Sequence, residues 1–186
     1  MASDLLFRHA SFRVGQREIC ADVWSALREK KSLLLQAPTG CGKTDAVLAP
    51  ALTFALQEGL NVFFLTPKVS QHEIACSVVR GIAQKYEGEK AVSLLRAVDF
   101  VGRRRLCLDN AVRESDAFYE LCNRKKRKDA CSYFSNCHRK KGGQSLLSPS
   151  KLEELSCSFG AVAGHRELFV ECQKRDLCPY EAASKI

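Results

Sequence analysis

The string A-P-T-G-C-G-K-T at positions 37–44 constrains this chain more than any other feature. It fits the phosphate-loop pattern, with alanine in place of the first glycine. A loop of this kind works where a strand turns into a helix, because its backbone N–H groups then converge on phosphate oxygens at the positive end of the helix dipole. The flanks have the required character. Ser32–Gln36 (SLLLQ) reads as a short buried strand, and the stretch after Thr44 reads as a helix that Gly59 stops. Ala37, Pro38, Thr39, Gly40, Cys41 and Gly42 are therefore expected around a nucleotide's phosphates. Lys43 is expected to reach the β and γ phosphates and Thr44 to supply a hydroxyl ligand to magnesium. The expected ligand is Mg-ATP.

The surrounding pattern alternates. Ile19, Val23, Trp24 and Leu27 recur at helical spacing, which predicts an amphipathic helix from about Gly15 to Glu29. Asn61–Leu65 (NVFFL) predicts a second buried strand, residues 72–86 a further helix, and Ala97–Val101 (AVDFV) a third strand. Strands alternating with helices build a parallel sheet covered on both faces, so the expected fold class is α/β. After Val101 the character changes. Residues 102–150 bring the runs RRR, RKKRK and RKK, four cysteines and a loop-like GGQSLLSPS. A small insert without a large core is expected there, followed by helices in KLEELSCSFG and HRELFVECQKRD.

Composition narrows the function classes. With 46% apolar and 27% charged residues the chain packs a core and is neither disordered nor fibrous. Its longest apolar candidate, Ala46–Leu56, is broken by Pro50 and Thr53 and falls short of the roughly 20 residues that span a bilayer. The opening MASDLLFRHASFR has an early acid and no apolar stretch of secretory length. A cytoplasmic protein with no membrane partner is expected. Lys and Arg number 29 against 21 acids, and residues 101–186 hold 17 and 11 of them, which points the later half toward a polyanion. Of the ten cysteines seven lie after residue 100, and in a reducing compartment metal or iron–sulfur ligation explains such a cluster better than disulfides.

Cys107, Cys122, Cys131 and Cys178 stand out, with 14, 8 and 46 residues between them. They lack the paired C-x-x-C knuckles of a zinc ribbon. Thiolates are the usual ligands of a [4Fe–4S] cluster, and four brought together by folding satisfy one. Cys137 is an alternative to Cys131, whereas Cys20, Cys76, Cys157 and Cys172 read as apolar packing residues. The basic runs at 103–105, 124–128 and 139–141 are interleaved with Phe118, Tyr119, Tyr133 and Phe134. Positive charge with stacking platforms is the composition of a site for single-stranded nucleic acid.

Several strings carry a resemblance to a known family. FRVGQ, APTGCGKT and FLTPKVSQ resemble the Q-type motif, motif I and motif Ia of superfamily-two helicases, particularly the iron–sulfur DNA helicases of the XPD and DinG type. R-x-x-x-C from Arg103 to Cys107, and C-P-Y at Cys178, resemble the first and last ligand motifs of that group's iron–sulfur domain. The likeness runs from about Ser11 to Ala183. It implies an incomplete RecA-like ATP-binding part at residues 1–101, a mainly helical iron–sulfur insert at 102–181, and a return toward the motor domain at 182–186. It further implies that Phe12, Arg13 and Gln16 recognise adenine and that Cys107, Cys122, Cys131 and Cys178 hold the cluster. Thr66, Lys68 and Ser70, with Arg103, Arg124, Lys125 and Lys126, would contact DNA as a single strand or at a junction of single and double strand. A D-E-A-H string, which would hold magnesium and activate water, does not occur in the sequence. The resulting expectation is the N-terminal portion of an ATP-dependent 5′-to-3′ DNA helicase of the repair or replication type, binding ATP weakly and hydrolysing it poorly by itself. A non-catalytic nucleic-acid-binding module and a phosphate-loop ATPase with structural zinc are the alternatives.

Overall fold

A computed structural model describes residues 5–141, 144–147 and 149–186. The chain divides into two compact units, one up to Leu95 and one from Arg96 onward.

In the first unit α1 (Gln16–Arg28), α2 (Lys43–Glu58) and α3 (His72–Lys85) pack in sequence, α1 on α2 and α2 on α3. The apolar stripe that the spacing predicts does the packing: Ile19, Cys20 and Val23 of α1 are buried against Ala46 of α2. Gly59 stops α2 in a left-handed conformation (φ 65°) in which its N–H reaches the Ala55 carbonyl. Pro50 lies in the middle of α2 and has no N–H for the Ala46 carbonyl one turn back. The Cys20 thiol donates to that same carbonyl at 3.3 Å. Cys20 is therefore more than an apolar filler, and burial, followed by the Asp45 charge, pushes its pKa up to about 11. Cys20→Val should cost about 1 kcal/mol in urea unfolding in the natural chain and much less once Pro50→Ala restores the backbone donor.

The N-terminal segment straps the helices together. The Leu6 N–H donates to Thr53 Oγ1 (3.0 Å), the Phe7 N–H donates to the Tyr86 hydroxyl (3.2 Å), and Lys85 Nζ donates to the Phe7 and His9 carbonyls (2.7 and 2.9 Å). Arg8 crosses beneath, its guanidinium forked onto the buried Asp45 of α2 and donating to Ser77 of α3. Gly81 permits this, since a Cβ there would meet Arg8 Cδ at 2.7 Å.

The two strands expected in this unit do not form. Residues 31–38 and 60–66 carry no ladder among the described residues, and Leu34, Phe63 and Leu65 are 98%, 85% and 88% exposed. A strand of a parallel sheet draws its hydrogen bonds from neighbours on both sides, and apolar character alone supplies none.

The second unit opens with β1 (Ala97–Val98). α4 (Asn110–Arg113), α5 (Phe118–Arg127) and α6 (Ser132–Cys137) follow, then β2 (His138–Lys141), β3 (Gln144–Leu147) and α7 (Pro149–Ser156). β4 (Val162–Ala163), α8 (His165–Lys174) and α9 (Pro179–Ala183) complete it. β1 pairs in parallel with β4, Ala97 opposite Val162, so the third expected strand exists in shortened form. Asp99 leaves β1 with its N–H on the Ala163 carbonyl and its buried carboxylate on His165 Nδ1, which ties the end of β1 to the start of α8. Cys137, Leu152, Leu155, Leu168, Cys172 and Leu177 form the core. The stretch read as loop-like contains β3, antiparallel to β2 with His138 opposite Leu147; Gly142, Gly143 and Ser148 lie outside the described residues, as do the side chains of the basic run at 139–141. The Q-S-L-L segment and the run before it pair as a hairpin, which a reading weighted by glycine and serine misses. Among the described residues no helix is long and apolar enough to cross a membrane.

Candidate functional site

The phosphate loop sits where the motif places it, directly before the first turn of α2. Gly40 and Gly42 have φ of 82° and 81°, the left-handed conformation that points successive N–H groups inward and that side chains resist. Lys43 Nζ donates to the Ala37 and Pro38 carbonyls (2.9 and 2.6 Å), so the ammonium already lies across the loop's concave side. Thr44 follows, half-buried at the helix start, and the Asp45 carboxylate one residue on favours the N-terminal end of the helix dipole.

The segment Phe12 to Gln16 is joined to the loop by direct hydrogen bonds. Gln16 is buried; its Oε1 accepts from the Arg13 N–H (2.7 Å) and its Nε2 donates to the Gly42 carbonyl (3.1 Å). Arg13 Nη1 donates to the Gly40 carbonyl (3.0 Å). Two of the three residues assigned to adenine, Arg13 and Gln16, thus hold the loop's two left-handed glycines. Gly42 has no room for a side chain, since a Cβ would lie 2.1 Å from Gln16 Nε2. Phe12 is half-buried, stacked on Phe7 at 4.3 Å, with the Arg17 guanidinium carbon 5.4 Å from its ring centre. Sequence reasoning missed the Arg8–Asp45 fork; the acid directly after Lys-Thr was its only signal. Thr66 Oγ1 donates to the Lys68 carbonyl (2.9 Å) in the turn before α3, leaving Lys68 and Ser70 exposed.

In the second unit the thiols lie in overlapping neighbourhoods, with Cys131 acting on both Cys107 and Cys137. Burial pushes Cys107 above the usual thiol value, opposed by the Asp109 backbone contact and reinforced by the nearby Cys122 and Cys131. Lys125, bonded to Asp109 at 2.6 Å, has its pKa raised first by that bond and further by Cys131 and Cys107. Cys178 instead adjoins Cys137: its N–H donates to Cys137 Sγ at 3.1 Å, and burial pushes the two thiols up to about 12 and about 11. Cys137 and Cys172 are wholly buried, whereas Cys131 is half-buried. Cys157, expected to pack, is exposed beyond the end of α7. Among the described residues no three His, Cys, Asp or Glu side chains form a group able to hold a metal ion. Neutral thiols have no reason to crowd together before a cation draws them in.

Of the basic residues assigned to DNA, Lys125 pairs with Asp109, Lys126 pairs with Glu181 and lies 4.7 Å from the Phe134 ring centre, and Arg124 is exposed. The Arg103 guanidinium lies 4.7 Å from the Tyr180 ring centre and beside Cys122, and its Nη1 donates to Asn123 Oδ1 (3.2 Å). Its Nε is buried without an acceptor. Of the proposed stacking platforms Phe118 is a core residue, because the first residue of α5 turns inward; Tyr119 beside it is exposed.

Residues 17–102 match the family model of the DEAD/DEAH box helicases. Over 65 residues, 35% of this chain, the sequence is 34% identical to the protein named "Probable ATP-dependent helicase MJ0942" of Methanocaldococcus jannaschii. That match spans 10% of the relative's length. No solved structure matches the chain. The phosphate loop and α3 lie within the matched residues, whereas the Phe12 to Gln16 segment, with the glutamine clamp, ends one residue before the match begins.

Proposed function

We propose that these residues are the ATP-binding and iron–sulfur portion of a 5′-to-3′ DNA helicase of the XPD and DinG type, working in the reducing cytosol. The observation that carries the ATP-binding part is the loop itself: Gly40 and Gly42 in the left-handed conformation of an anion cradle, Lys43 across it, Thr44 behind it, and the glutamine clamp beneath. Arriving phosphates would take Lys43 from the Ala37 and Pro38 carbonyls. The exposed apolar stretches 31–38 and 60–66 favour a sheet supplied by further parts of a longer protein. No D-E-x-H string is present to activate water, so the 186 residues should bind Mg-ATP and turn it over slowly. Calorimetric titration is the test: Lys43→Ala should weaken Mg-ATP binding by at least tenfold, and equal affinity of variant and parent would remove the reading.

The iron–sulfur part rests on donor chemistry. Cys122 and Cys131 both act on the free thiol of Cys107, Lys125 and the buried Arg103 Nε stand near them, and a cluster's sulfurs would give that donor an acceptor. With Cys178 as fourth ligand, the group would supply cross-linking of the unit rather than chemistry on a substrate. Cys131 fits better than Cys137, which is sealed in the core.

A further inference from the structure

The strap before α1 brings a cation to the start of the phosphate-loop helix. Asp45 is the third residue of α2, so its Cα lies only about 3 Å along the helix axis from that of Lys43. Its side chain is 11% exposed, and it sits at the same positive helix end that the loop offers to phosphates. Two anions therefore compete for one dipole. Left unpaired and poorly solvated, the carboxylate would repel an incoming nucleotide, and more strongly the more negative charge the nucleotide carries. Its field already reaches α1, where it follows burial as the second cause of the raised Cys20 pKa.

Arg8 meets that carboxylate with both edges of its fork. Nε donates to Oδ1 and Nη2 donates to Oδ2 (3.1 Å), the bidentate arrangement that holds a carboxylate most firmly. Nη1 is anchored on Ser77 Oγ of α3 (3.2 Å). His9 Nε2 lies 3.3 Å from Oδ1, so two consecutive side chains of the strap close over the carboxylate. Asp45 falls within the residues matched to the helicase family, whereas Arg8 lies outside them. We propose that Arg8 is a positioning residue of the nucleotide site: it cancels the Asp45 charge and leaves the positive end of α2 to the phosphates, without touching the ligand itself. The inference rests on the Mg-ATP reading of the loop; the fork and its burial do not.

The test is calorimetric titration of the full chain with Mg-ATP and with Mg-ADP, whose net charge is smaller. Asp45→Asn keeps the side chain's shape and an acceptor for Arg8 but removes the charge, so Mg-ATP should bind about fivefold tighter and Mg-ADP about twofold tighter. Arg8→Met, checked by circular dichroism to be folded, should weaken Mg-ATP about fivefold and Mg-ADP about twofold. Arg8→Lys keeps the cation and should stay within about twofold of the parent. The double variant Arg8→Met with Asp45→Asn carries neither charge and should also return to within about twofold, which a loss of structure would not do. Asp45→Asn decides alone should Arg8→Met fail to fold. Mg-ATP bound no tighter by Asp45→Asn than by the parent overturns the proposal, and so do equal losses of both nucleotides in Arg8→Met; the ATP-binding reading then stands. A parent chain with no affinity for Mg-ATP overturns that reading instead.

Discussion

Gly42→Ala is expected to lower Mg-ATP affinity about a hundredfold and to destabilise the first unit by about 2–4 kcal/mol. Two costs combine. A non-glycine residue at φ 81° carries about 1–2 kcal/mol of strain, and the new methyl would lie 2.1 Å from Gln16 Nε2. Gln16 must then leave the Gly42 carbonyl, and a buried amide without its partner costs a further 1–3 kcal/mol or so. Loop and clamp move together, so the phosphates lose their donors. Calorimetry with Mg-ATP and urea unfolding of the full chain give both numbers. The steric origin has its own check: in a Gln16→Ala background the obstacle is gone, and Gly42→Ala should cost at least 1 kcal/mol less than it does alone. Strict additivity of the two substitutions would show that they do not meet.

On the iron–sulfur reading proposed above, Cys107→Ser is expected to take anaerobically purified protein from about four iron atoms per chain to nearly none, with loss of the visible absorption such a cluster would give. Because burial raises the pKa of Cys107 and Cys178, a bound metal would have to supply the free energy that ionises them, and the second unit would then lose stability with the metal. Cys137→Ser should behave differently. Its sulfur accepts the Cys178 N–H inside the core, so iron should remain in folded protein while stability falls by about 1–3 kcal/mol. The exposed Cys157 should tolerate serine on both counts. One zinc per chain in place of iron and sulfide would replace the cluster by a structural zinc site.

The two units were legible to different degrees. α1, α2 and α3 fall within a residue or two of their sequence limits because an apolar stripe, a glycine stop and a helix-opening loop are local signals. The strands at 32–36 and 61–65 were misread for a reason equally physical: a continuous apolar run records that a segment prefers burial, but a ladder needs a partner, which lies elsewhere in the chain or outside it. The Cys20 thiol on the Ala46 carbonyl was out of reach for the same cause, since Pro50 announces the missing donor and nothing near it in sequence announces the replacement.

What the sequence determined alone is the anion cradle: two glycines, a lysine and a threonine at that spacing before a helix dictate local backbone geometry, and local geometry needs no distant contact. Tertiary structure decided the rest. It set Gln16 and Arg13 beneath the cradle, forked Arg8 onto Asp45, and turned Phe118 into the core while leaving Tyr119 exposed. Each of these depends on which groups meet across tens of residues, and such meetings are settled by packing and by the need to satisfy buried polar atoms, which no short motif encodes.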